Sequence, residues 1–310
     1  MTKQNLLVTG AAGFVGSRVA AKLLEAGHTV AVFDDLSIGS PENIPEGAEL
    51  IEGDLRDADA IRHAVVGCDA VVHLAAQALV PESVENPQKA IDINLIGGTN
   101  LLEAMRKEGV KRLVHSSTAA VYGNPASVPI KEDAPTLPIN PYGGTKLAFE
   151  ALLQSYHAAY GLHVTAFRYF NPYGPTENHH PETHAIPNFI TAALTGQPIP
   201  LFWNGDQVRD FFFVDDIARA HVMGLDLDGF HIYNLGSGQG QKVRDVVELI
   251  FKLTGADTGI QDLGERAGDP PQLLADITRA RTELGWEPEV TLEDGLKQTI
   301  AAFKERLAKP

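Results

Sequence analysis

The chain has 310 residues, 44% of them hydrophobic, and 25 Lys+Arg against 40 Asp+Glu give a formal net charge of −15. That length and apolar content supply a large core and exclude wholesale disorder, while the acidic balance, without any Lys/Arg run, excludes nucleic acid as the expected partner. No apolar stretch approaches the ~20 residues that span a bilayer, and the single cysteine, Cys68, excludes an intrachain disulfide, so the expected setting is the cytoplasm with no membrane partner.

Short apolar runs alternate with helical patterns through the first 170 residues. The runs are Leu6–Val8, Thr29–Phe33, Leu50–Ile51, Ala70–Leu74, Arg112–His115 and Val164–Phe167. Most are continuously apolar, as strands covered on both faces are. Ser17–Glu25, Asp57–Val65 and Asn94–Lys107 read as helices between them. Such alternation predicts an α/β fold, a doubly wound parallel sheet with right-handed crossovers. After Phe170 the texture changes to a stretch rich in Pro, His and Asn, which places the boundary between a dinucleotide-binding domain (1–170) and a smaller mixed α/β substrate domain (171–310). Phe211–Val214 and His231–Tyr233 read as strands, and the segment 211–236 is expected to return to the first sheet. Lys242–Leu253 and Leu292–Leu307 read as amphipathic helices.

Gly10-Ala-Ala-Gly13-Phe14-Val15-Gly16 follows the first strand and opens the first helix. Glycines there allow a tight turn and close approach to a pyrophosphate, and the helix N-terminus offers unpaired N–H groups to the anion. The second strand ends at Asp34-Asp35, with Ser37 just beyond. Asp34 falls roughly 20 residues past the glycines, where an acid bonds ribose hydroxyls and repels a 2′-phosphate, favouring NAD over NADP.

Asn140-Pro141-Tyr142 reads as a helix start, with Asn at the N-cap and Pro at the first turn. Tyr142 and Lys146 are then i and i+4 on one face. A lysine ammonium beside a phenol favours the phenolate and the positive nicotinamide ring of NAD adds to it, so Tyr142 is expected to titrate well below ~10 and to act as a general base. His179, His180 and His184 lack supporting metal-ligand chemistry and read as a solvated loop; no metal is expected.

With these motifs, and with Gly53-Asp54-Leu55, His73-Leu74-Ala75-Ala76, Asn94, Ser116-Ser117-Thr118, Val121-Tyr122-Gly123, Arg168-Tyr169-Phe170-Asn171, Arg209-Asp210-Phe211, Val214-Asp215-Asp216 and Arg266-Ala267-Gly268-Asp269, the chain resembles the extended short-chain dehydrogenase/reductase family over nearly its whole length. Within that family it is most similar to the nucleotide-sugar 4-epimerases. The resemblance implies a Rossmann sheet, NAD as cofactor, a nucleotide-diphosphate sugar as substrate and a homodimer. It implies inversion of a hexose at C4 through a transient 4-keto sugar, with Thr118, Tyr142 and Lys146 catalytic. Asp54 and Leu55 would flank the adenine, Leu74, Ala75, Ala76 and Gln77 the pyrophosphate and ribose, and Asn94, Ser116 and Tyr169 the rest of the dinucleotide. Asn171, Asn188, Arg209, Val243, Arg266 and Asp269 would bind the substrate, the arginines gripping its diphosphate.

Where related dehydratases carry an acid, this chain has Ala119-Ala120, which favours simple epimerisation and weakens a glucuronate substrate. Leu273 stands where a large aromatic can exclude N-acetylated sugars, so an N-acetylhexosamine is a further expected substrate. A one-way nucleotide-sugar reductase and a non-catalytic NAD- or sugar-nucleotide-sensing module are the other readings.

Overall fold

Seven parallel strands form the centre of the molecule, a computed structural model that describes residues 2–177, 184–265 and 270–308. In chain order they are β1 (Asn5–Thr9), β2 (Thr29–Asp34), β3 (Glu49–Glu52), β4 (Ala70–His73), β5 (Arg112–Thr118) and β6 (His163–Tyr169), joined later by a returning strand. The helices between them are α1 (Phe14–Glu25), α2 (Ala58–Val65), α3 (Val80–Glu85), α4 (Pro87–Ala90), α5 (Gly98–Glu108) and α6 (Pro141–Tyr160). The stretch read from sequence as a helix from Asn94 to Lys107 opens inside a π-helical segment, Ile91–Gly97, that runs into α5.

Alternation along β1 shows how the sheet buries both faces. Leu6 and Val8 join Val19, Leu23 and Ile217 on one side, while Leu7 joins Ile61, Leu101, Phe149 and Leu153 on the other. Each such side chain removed from water contributes about 1.5–3 kcal/mol, which is why an all-apolar run specifies a central strand.

Beyond β6 come β7 (Asn171–Tyr173), α7 (Ala185–Thr195), β8 (Ile199–Leu201), β9 (Val208–Arg209), β10 (Phe211–Phe213), α8 (Val214–Gly224) and β11 (Phe230–Leu235). Only β11 of the segment 211–236 enters the main sheet, where it pairs with β6; β10 pairs instead with β7. The strand order is β11-β6-β5-β4-β1-β2-β3, so the winding reverses between β1 and β4. That reversal opens a crevice at the carboxyl ends of the strands, the place where doubly wound sheets bind ligands.

β12 (Gln241–Lys242), α9 (Val243–Thr254), β13 (Ile260–Asp262), β14 (Gln272–Leu273) and α10 (Leu292–Ala308) complete the chain. α7, α9 and α10 enclose a separate core of Phe189, Ile190, Val246, Val247, Ile250, Ile300 and Phe303. Among the described residues no helix is long and apolar enough to cross a membrane.

Candidate active site

A cavity of about 730 Å³ occupies the crevice, within the range of small-molecule sites. Its first wall is the turn from β1 into α1. Gly10 has φ +76°, and a Cβ there would meet the Ala75 backbone nitrogen at 2.5 Å. The turn therefore closes onto the end of β4 only with glycine at that position. Gly13 is the N-cap of α1 and has no side-chain cap, so the first N–H groups of the helix face the cavity beside Phe14, Val15 and Gly16. An uncapped N-terminus of this kind accepts an anionic group such as a pyrophosphate.

Asp34 ends β2 nearly buried. One of its carboxylate oxygens accepts from the Ala12 N–H at 2.9 Å and the other from the Leu36 N–H at 2.9 Å. It thus shapes the glycine turn as well as lining the cavity, and spare lone pairs remain for ribose hydroxyls. Burial raises its pKa above the ordinary 3.8, against the pull of those two N–H donors. Asp35 accepts from the Ser37 N–H and hydroxyl at the rim. Asp54 lines the cavity together with Leu55, but its carboxylate is forked by Arg56, with contacts down to 2.5 Å, which lowers its pKa.

Leu74, Ala75, Ala76 and Gln77 line the opposite wall. Asn94 does not reach it. Its amide accepts from Gln77 N–H at 2.7 Å and donates to the Gln77 carbonyl and the Thr145 hydroxyl, both at 3.0 Å. Both its N–H donors and one lone pair go to holding the exit of β4 against α6, so it positions the wall and does not line it.

The reacting end forms where α6 begins. The Asn140 side chain caps the Gly143 N–H at 2.9 Å, and the Tyr142 N–H donates to the Ser83 hydroxyl. A Cβ on Gly143 would lie 2.6 Å from the Ala120 carbonyl oxygen, so glycine lets the helix start rest directly on the turn after Thr118. In consequence the Thr118 hydroxyl, which accepts from the Ala120 N–H at 3.1 Å, stands beside the Tyr142 phenol and favours its ionised form.

Two features of this end bear on the expectations for Tyr142 and Lys146. Lys146 Nζ donates to the Ser116 carbonyl at 2.8 Å and lies off the cavity wall. Burial pushes the Tyr142 phenol up to about 12, with Thr118 pulling the other way. Desolvation dominates, and Lys146, whose ammonium bonds the Ser116 carbonyl, is not among the groups that shift this phenol. Lys146 itself is lowered to about 8 by burial, opposed by Glu150 one turn further along.

Sequence reasoning missed the brace below these groups. Glu150 accepts from the Ser117 hydroxyl at 2.5 Å and from Arg168 at 3.0 and 2.6 Å, and Arg168 also donates to the Tyr122 hydroxyl. The i, i+4 spacing of Lys146 and Glu150 on one helix was the available signal.

On the substrate side, Asn171 and Leu273 line the cavity, and Asn171 Oδ1 is buried without a hydrogen-bond partner among the described residues. Asn188, Arg209 and Val243 do not line it: Val243 is packed in the second core, Arg209 donates to the Val208 carbonyl, and Asn188 lies within α7. Asp210 does not serve Arg209 as a surface ion pair. It accepts from Ser237, Gly238 and Ala275 and ties three loops together behind the site. Arg266, Asp269, His179 and His180 lie outside the described residues. His184 pairs with buried Glu177, and the described residues contain no cluster of three or more metal-ligating side chains.

Comparison with known proteins gives the same assignment along the whole chain. The NAD dependent epimerase/dehydratase family model matches residues 6–236. The UDP-glucose 4-epimerase of Corynebacterium glutamicum is 46% identical over 301 residues, covering 92% of this chain and 91% of that protein. The structure of UDP-glucose 4-epimerase from Thermotoga maritima with UDP-glucose superposes with a TM-score of 0.95 at 38% identity, covering 98% and 99% of the two chains. The UDP-N-acetylglucosamine 4-epimerase of Methanobrevibacter ruminantium M1, at 34% identity, superposes with a TM-score of 0.94 over 99% and 100%. A glycine turn at the sheet reversal, an acid ending the second strand and a Thr–Tyr pair at the head of a buried-lysine helix thus coincide with full-length similarity, and the chain belongs to the NAD-dependent epimerase/dehydratase family.

Proposed function

We propose that this protein interconverts UDP-glucose and UDP-galactose by inverting C4, with the Thr118–Tyr142 pair at the wall of the cavity as the observation that carries the reading. NAD, held by the Gly10–Gly16 turn and Asp34, supplies when bound the acceptor and donor of the C4 hydride and a positive charge beside the phenol. Tyr142 takes the proton from O4, and Thr118, donating to the phenol oxygen, stabilises the phenolate that must form first. Lys146 adds positive charge from below through its bond to the Ser116 carbonyl. Asn171 Oδ1 offers an acceptor to the substrate, and the family resemblance gives the diphosphate to Arg266 and Arg209, the latter only if it leaves the Val208 carbonyl for the cavity, so that the 4-keto sugar can turn while its diphosphate stays fixed. The carboxyl-terminal part, 171–310, is the sugar-nucleotide half of the molecule.

Ala119 and Ala120 line the cavity without an acid, which suits epimerisation alone. Leu273, half-buried in the wall, favours a second substrate, a UDP-N-acetylhexosamine, because it leaves room that a tyrosine would fill. A homodimer goes with this reading, with exposed Ile91, Ile96 and Tyr160 on adjoining helices as its apolar surface.

The test is to incubate the purified protein with UDP- and dTDP-sugars and follow C4 epimers by NMR. Interconversion with dinucleotide retained throughout supports the proposal. Stoichiometric consumption of NADH with one-way product would make it a reductase, and bound NAD without any turnover would make it a sensing module.

A further inference from the structure

Two phenols share the head of this site. Tyr142 comes from α6 and Tyr169 from the end of β6, and they are close enough to interact electrostatically. Both line the cavity. If either could ionise, negative charge could settle on the wrong oxygen, and the second phenol would then be harder to ionise.

Their surroundings differ in one respect. The Tyr169 hydroxyl lies 2.8 Å from Nε2 of His221, a fully buried residue on α8. Nδ1 of the same ring lies 2.9 Å from the Ile217 carbonyl. A carbonyl only accepts, so Nδ1 carries the ring proton and Nε2 is left as an acceptor. The Tyr169 proton is therefore directed into His221, with Ser116 beside the same phenol. Burial lowers His221 to about 4, which keeps the ring neutral. Among the described residues the Tyr142 hydroxyl has no such acceptor, and Thr118 beside it favours the ionised phenol. The other titratable groups around His221 are the buried His115 on β5, which interacts with it, and His73 on β4 and Lys146 on α6, which interact with His115 in turn. Phe167 packs on the His221 ring with centroids 5.0 Å apart and fixes its plane.

We propose that His221 is a positioning residue: its Nε2 holds the Tyr169 phenol protonated and its ring in place as a wall of the site, so that Tyr142 alone becomes the base. This rests on the reading of Tyr142 given above. His221 touches neither cavity nor substrate and acts only through Tyr169.

The experiment compares wild type with His221→Leu, which removes the acceptor, and His221→Gln, whose amide oxygen can stand near the Nε2 position. His221→Leu is expected to lower kcat about 10-fold, the scale of one buried hydrogen bond, with KM for UDP-glucose changed by less than about 2-fold. It should also shift the pH profile of kcat, and His221→Gln should restore most of the loss. A readout independent of turnover is phenolate absorbance in protein stripped of dinucleotide. The contribution removed by an added Tyr169→Phe should appear at lower pH in the His221→Leu background than in wild type, because an acceptor for the neutral phenol has been lost. Unchanged kcat, pH profile and Tyr169 titration would overturn the proposal. Should His221→Leu fail to fold, His221→Asn replaces it: its amide is too short to reach Tyr169, and titration of Tyr169 equal to that in His221→Gln overturns the proposal. If the wild type turns over no sugar nucleotide, the functional reading fails, and the Tyr169 titration still decides the role of His221.

Discussion

Replacing Glu150 by Gln removes the charge from a carboxylate that faces Arg168 in the interior, where the two side chains are 4% and 5% exposed. The pair is bonded at 2.6 and 3.0 Å, and Ser117 fills another lone pair of Glu150. Glutamine keeps the volume and one acceptor oxygen, but the guanidinium is left buried without a counter-charge. Breaking such a pair costs about 3–5 kcal/mol, since the remaining ion keeps its desolvation penalty. For a chain of this size that corresponds to a melting-point drop on the order of 10 °C. Urea and thermal unfolding of wild type, Glu150→Gln, Arg168→Met and the double variant would measure it as a cycle. The double variant should recover part of the loss, because it buries no lone charge. Glu150→Gln should also lower Lys146 further below its present value of about 8, since Glu150 is the group opposing burial there. A loss below about 1 kcal/mol for Glu150→Gln would refute the assignment of this pair as the brace under the active-site helix.

Four other outcomes are expected. Tyr142→Phe should reduce kcat by at least ~10²-fold without changing the melting temperature by more than a few degrees, as for loss of a general base; near-normal turnover removes Tyr142 from the role. Gly143→Ala places a Cβ 2.6 Å from the Ala120 oxygen, so the helix start must move away from Thr118, and kcat should fall on the order of 10²-fold, checked by steady-state kinetics. Acidification should release dinucleotide as Asp34 protonates. Its pKa in the fold is raised, so release, followed by equilibrium dialysis, should begin above the ordinary Asp value of 3.8; retention down to that pH would contradict the role. Leu273→Tyr should depress kcat/KM for UDP-N-acetylglucosamine relative to UDP-glucose by at least ~10-fold, one steric methylene-scale clash or more, and an unchanged ratio would show that residue 273 does not gate the sugar.

The amino-acid order alone specified the sheet, because its strands are apolar on both faces and its turns carry glycine, Asp or Asn where the backbone needs them. Gly10, Asp34, the Asn140-Pro141 helix start and the Tyr142–Lys146 spacing are all local patterns, and local patterns are readable from one chain. Tertiary packing decided everything that depends on which distant segments meet. Phe211–Phe213 has strand composition, but only the folded chain pairs it with β7 and leaves β11 to complete the sheet. Asn94 has the right motif for a cofactor contact, yet its amide is engaged by Gln77 and Thr145 and stands off the cavity wall. Lys146 stands one turn from Tyr142, but which oxygen it bonds, and that burial raises the phenol, follow from the solvent excluded around both. Charge and hydrogen-bond partners are properties of three-dimensional surroundings, whereas turn geometry and periodicity are written residue by residue along the chain.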